Sequence, residues 1–183
     1  MDRRTLLRSI AIITGATVVG GEWLLSGCKS PQAKAGLFST QDVSLMDEIA
    51  ETILPATDIP GAKAAGVGSF MALMVEDCYN PDQQNAFTEG LTSLEAQCLK
   101  STGKSFLAAQ PADRETFLIA QDQEAKKALA EGGFHYFTMI KQLVLFSYFT
   151  TEIGATQGLR YVSVPGRYEG CIPYVKGEKA WAL

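Results

Sequence analysis

The chain has 183 residues, 46% of them hydrophobic, enough to bury one sizeable core. Its net charge of −4 and pI near 5.1 argue against a nucleic-acid partner, because phosphate binding needs clustered Lys and Arg. The single histidine, His135, excludes a multi-histidine metal site and leaves few choices of general base.

The first residues read as a secretory signal: Arg3 and Arg4 in a basic start, a short apolar run rich in Gly and Thr over residues 10–19, then Leu25-Ser26-Gly27-Cys28. Residues 2–8 resemble a twin-arginine translocation motif, with Asp2 and Leu6 departing from its usual residues. Residues 25–28 resemble a lipobox, in which Cys28 carries the lipid and becomes the mature first residue. The expected division is a signal over residues 1–27, a polar tether over 28–39, and one helical domain over 40–183 whose last part, 155–183, is a docking tail. The twin-arginine route carries folded cargo, so such a protein folds or binds its partner before crossing.

After the tether, Thr40 is the expected N-cap of a first helix, with Val43, Met46, Ile49 and Ile53 near helical spacing and Pro55 ending it. A long loop over residues 55–68 follows, and loops of that length often carry function. A short helix over about 67–78 is expected to turn Phe70, Leu73 and Met74 to one side. Asn80-Pro81-Asp82 opens the next, over about 82–100, with Phe87, Leu91, Leu94 and Cys98 forming an amphipathic stripe. Pro111 opens a fourth, to about residue 131, with Phe117, Leu118, Ala125 and Leu129 expected inward. Residues 134–154 are apolar on nearly every side of a helical wheel, so a helix here must be surrounded by protein. Its Lys141, Gln142 and Glu152 argue against a membrane span. The pattern predicts an all-α fold, a compact array of about five helices with an irregular C-terminal arm.

The arm mixes Gly, Pro and large aromatics without helical period. It either wraps its own bundle or docks on a partner, where Tyr, Trp and Arg are the usual anchors. No motif assigns chemistry: the sequence holds no CxxCH, no GxGxxG after a strand, no Walker loop and no HExxH. Gly61, Gly66 and Gly68 have no strand before them. His135 reads as a hydrogen-bonded structural histidine rather than a base, and Glu152 as a carboxylate that, if buried, pairs with an Arg such as Arg160. Catalytic, cofactor-binding and metal residues are thus expected to be none. Beside Cys28 stand Cys78, Cys98 and Cys171, too few for an iron–sulfur cluster. In an oxidising compartment Cys78 and Cys98 could bridge neighbouring helices, leaving Cys171 as the candidate for an intermolecular disulfide; the plain alternative is three free thiols.

These residues together resemble the gluconate 2-dehydrogenase subunit 3 family. The resemblance is carried by the twin-arginine leader, by Leu45-Met46-Asp47-Glu48-Ile49-Ala50-Glu51-Thr52-Ile53-Leu54-Pro55 with Thr57-Asp58-Ile59-Pro60-Gly61-Ala62, by residues 67–77, and by Tyr148-Phe149-Thr150-Thr151-Glu152-Ile153-Gly154. The lipobox departs from the commoner leader of that family. The resemblance implies a non-catalytic subunit, exported to the periplasm and lipid-anchored to a membrane, that escorts and stabilises an FAD-dependent sugar or sugar-acid dehydrogenase of the glucose-methanol-choline type. FAD would lie in that partner, with electrons passing to a cytochrome c or quinone. Pro55, Asp58 and Pro60 of the loop, and Arg160, Tyr161, Tyr168, Tyr174 and Trp181 of the arm, are the candidate partner contacts. The alternative is a stand-alone helical periplasmic lipoprotein that binds a small apolar ligand beneath the 55–68 loop, or another protein.

Overall fold

The structure, a computed structural model, describes residues 36–164, 166–167 and 170–182. Arg3, Arg4, Cys28 and Tyr168 lie outside the described residues. Five long helices follow in order: α1 Thr40–Ile53, α2 Val67–Cys78, α3 Pro81–Thr102, α4 Pro111–Ala130 and α5 Tyr136–Thr150, with a 3-10 turn at Phe106–Ala108 and a π turn at Gly154–Gly158. The fold is all-α as the pattern predicts, and among the described residues the one strand-like pairing is an isolated bridge between Arg160 and Trp181.

The helix ends are set by side chains that satisfy orphan backbone groups. Ser39, not the expected Thr40, caps α1: its hydroxyl accepts from Asp42 N at 3.2 Å, while the Asp42 carboxylate accepts from Ser39 N at 2.8 Å. Asn80 and Gln83 repeat that reciprocal pair at α3, ahead of Pro81. At α5 the cap is His135, whose Nδ1 accepts from Phe137 N at 3.3 Å. This delays the helix to Tyr136, and Thr151 closes it before Gly154, so α5 is shorter than its apolar run.

α5 packs against all four other helices, while the most extensive single contact joins α1 to α2. The stripe Phe87, Leu91, Leu94 and Cys98 of α3 is buried throughout, as its spacing predicts. Met46 and Ile49 of α1 are fully buried, with Val43 and Ile53 packed beside them. The expectation for α2 is corrected: Leu73 is exposed, and Val67, Met71, Ala72 and Val75 face the core. Apolar residues of that helix fall on every side of its wheel, so the wheel does not single out a face. Leu129 of α4 is also exposed, because the inward row runs Leu118, Gln121, Ala125 and then half-buried Ala128. Buried Gln121 is satisfied in place, accepting from Tyr136 Oη and donating to Gln97 Oε1 at 2.8 Å. Burial pushes the Tyr136 phenol up to about 12, with Glu124 adding to the effect. Where α3 passes the start of α5, a Cβ at Gly90 would come within 2.9 Å of Tyr136 Cβ, so Gly sets how closely the two approach.

Candidate docking surface

The site is built outward from α1, whose Asp47, Glu48 and Glu51 do structural work. Glu51 accepts from two backbone amides of the following loop, Ala56 N at 3.1 Å and Lys63 N at 2.8 Å. Asp47 accepts from Gly68 N at 2.8 Å. This caps α2, whose own N-cap is Gly66 in the left-handed region with no side chain to offer. Glu48 pairs with Lys63 and with Arg114. Arg114 also donates to Phe106 O at 2.8 Å and Leu107 O at 2.7 Å and lies 5.5 Å from the Phe106 ring centre, tying the 3-10 turn to α1 and α4. The hydrogen bond from Lys63, more than that from Arg114, holds the Glu48 carboxyl below its ordinary range.

The loop over residues 54–66 is therefore fixed against α1. Ala62 and Val67 are fully buried. A Cβ at Gly61 would strike the Glu51 carboxylate and come within 2.6 Å of Ala56 N. The chain is thus closely packed at Gly61, within the loop beneath which the alternative reading expects an apolar ligand. Pro55 and Asp58 are exposed, whereas Pro60 is half-buried and its carbonyl accepts from Tyr148 Oη at 2.8 Å. Burial, then the nearby Glu51 charge, raises the Tyr148 pKa.

Through Tyr148 the loop meets the C-terminal segment. A Cβ at Gly158, in the π turn, would lie 3.5 Å from the Phe149 ring, 3.6 Å from Tyr148 and 3.8 Å from Ile59. At Gly154 a Cβ would overlap Tyr148 O, so only Gly lets the chain turn back over the end of α5. Beyond the π turn the arm closes on itself. Arg160 N donates to Ala180 O at 2.8 Å and Ala182 N to Arg160 O at 3.0 Å; the Arg160 guanidinium lies 4.1 Å from the Trp181 ring centre. Lys179 reaches the carbonyl of Gln157. Of the two arrangements open to the arm, wrapping the bundle is not the one seen: Tyr161, Tyr174 and Trp181 are exposed, Tyr174 to 88%. Thr156, Leu159, Arg160, Tyr161, Glu178 and Lys179 line an open groove of about 390 Å³ at its base.

The expectation that protein surrounds the central helix needs correction. Phe146 is 51% exposed and Phe149 37%. With exposed Gln142 and Thr150 they fall at i, i+4, i+7 and i+8, one strip of the wheel. Four helices and a π turn cover the remaining faces, and within the described residues nothing covers this one. It ends beside the π turn and the 54–66 loop, so the structure joins the loop, the helix end and the base of the arm into one surface; sequence reading named the loop and the arm but missed the strip between them.

Glu152 is exposed and Arg160 is engaged with Trp181, so the condition under which Glu152 would need a pairing Arg is not met. Cys78, Cys98 and Cys171 are all free. Of the two arrangements left open for Cys78 and Cys98, the bridge is absent and the free thiols are seen: Cys98 is buried beside Thr102, with its thiol pKa pushed up by burial, while Cys78 is exposed beside Met74. Cys171 lies exposed on the arm.

Among the described residues no three His, Cys, Asp or Glu side chains gather to hold a metal, and no helix is long and apolar enough to cross a membrane. A family model described as gluconate 2-dehydrogenase subunit 3 matches residues 40–166. Neither the curated proteins nor the solved structures give a match.

Proposed function

The chain belongs to the gluconate 2-dehydrogenase subunit 3 family, and from that premise we propose that it is the non-catalytic small subunit of an FAD-dependent sugar or sugar-acid dehydrogenase of the glucose-methanol-choline type. In this reading it escorts the flavoprotein through twin-arginine export and stabilises it in the periplasm. FAD resides in the large subunit, electrons leave to a cytochrome c or quinone, and lipid on Cys28 holds the assembly at the membrane. Support for export comes from Arg3 and Arg4, and for the anchor from the sequence around Cys28.

The observation that carries the reading is the open strip of α5 centred on Phe146 and Phe149. Exposed aromatics at Phe146 and Phe149, beside a loop fixed by Glu51 and Tyr148, form a rigid surface suited to the buried centre of a subunit interface. The flavoprotein covers it, with Pro55, Asp58, Arg160, Tyr161 and Trp181 at its rim. Replacing Arg3 and Arg4 by Lys and following the flavoprotein between compartments tests the escort role: it is expected to stay in the cytoplasm. Arrival in the periplasm at the normal level would overturn that role.

A further inference from the structure

Charge is divided sharply along the chain. Residues 37–154 carry sixteen Asp and Glu against seven Lys and Arg, whereas residues 155–183 carry two against four. A bundle of net −9 thus bears an arm of net +2. The arm's outer part holds Ile172, Tyr174 and Val175, all exposed, next to Lys176, while Glu178 and Lys179 return to its base. Short apolar and aromatic side chains beside a lysine are a mixture that partitions into a bilayer interface, the ring at headgroup depth and the ammonium group on a phosphate. The arm is also presented rather than stowed: its base is closed by the Arg160–Trp181 pair and by Lys179 on Gln157. Residues 167–183 lie beyond the stretch matched by the family model.

We propose that the tip of the arm, residues 172–176, docks on an anionic lipid surface, the basic arm facing the headgroups and the acidic bundle held away from them by like charge. The inference is independent of the flavoprotein and of lipid on Cys28.

The test uses the full chain carrying Cys28→Ser, so that no acyl chain contributes, in flotation with phosphatidylcholine vesicles made with or without phosphatidylglycerol. The chain is expected to float with the phosphatidylglycerol vesicles and to be released by salt. Lys176→Glu should lower the bound fraction at least about fivefold, and Tyr174→Ser should lower it further. Lys100→Glu, the same change in charge on the exposed end of α3, should leave it unchanged. Equal loss in both charge variants, binding that ignores phosphatidylglycerol, or no binding would overturn the proposal. So would arm variants that float normally but no longer purify with the flavoprotein, which would make the tip a protein contact.

Discussion

At the scale of single residues, the carboxylates of α1 bind backbone, and that accounts for much of the Asp47-Glu48-Ile49-Ala50-Glu51 run. Glu51→Ala removes the acceptor of two amides and is expected to cost about 2 kcal/mol in denaturant unfolding. Gly61→Ala should cost about 1–3 kcal/mol by overpacking. The two costs should be less than additive, because one of the atoms a Gly61 methyl meets is the carboxylate itself, while the clash with Ala56 N remains. A strictly additive double variant would show that the loop does not sit on Glu51. The opposite sign is expected at Ser147. Its Oγ is buried without a hydrogen-bond partner among the described residues, so Ser147→Ala should stabilise by up to about 1 kcal/mol; a loss of stability would reveal an unseen partner.

At the scale of elements, α5 divides into a covered part and an open strip, and the two should respond differently. Phe137 is 2% exposed, and Phe137→Ala should cost about 3–5 kcal/mol. Phe146→Ser and Phe149→Ser, on the strip, should change the stability of the isolated chain by less than about 1 kcal/mol while greatly weakening retention of the flavoprotein. Destabilisation as large as that of Phe137→Ala would mean that the strip is core. The sequence made α3 legible because one stripe alternates cleanly with polar residues. α2 and α5 were harder, since a wheel with apolar residues on every side says that a helix is covered without saying by which side or by which chain. The loop's fixation was not legible either: Asp47, Glu48 and Glu51 read as charges favouring a helix start, and only the return of the chain to α1 makes them acceptors. Arg114 left no signal at all, as its partners Phe106, Leu107 and Glu48 come from separate elements.

At the scale of the molecule, two carboxylates set part of the response to acid. Glu48 is held low by hydrogen bonding from Lys63 and then Arg114, and Asp122 by hydrogen bonding from Lys126 and then Lys141. A carboxyl with a lowered folded-state pKa stabilises the fold fully above its unfolded pKa, and that contribution disappears as pH falls through the folded value. The unfolding midpoint should therefore drop below about pH 4, and Glu48→Gln should flatten part of the drop. An acid profile unchanged by Glu48→Gln would remove Glu48 from this account. The charge division between bundle and arm belongs to the same scale, as does the central claim that the chain is one part of a larger enzyme. The most direct measurement is purification of the chain from its own membranes in mild detergent, with mass spectrometry and an absorbance scan. The account expects a stoichiometric large partner with a flavin spectrum, lost when Phe146 and Phe149 are both replaced by Ser. A colourless chain that purifies alone would contradict it.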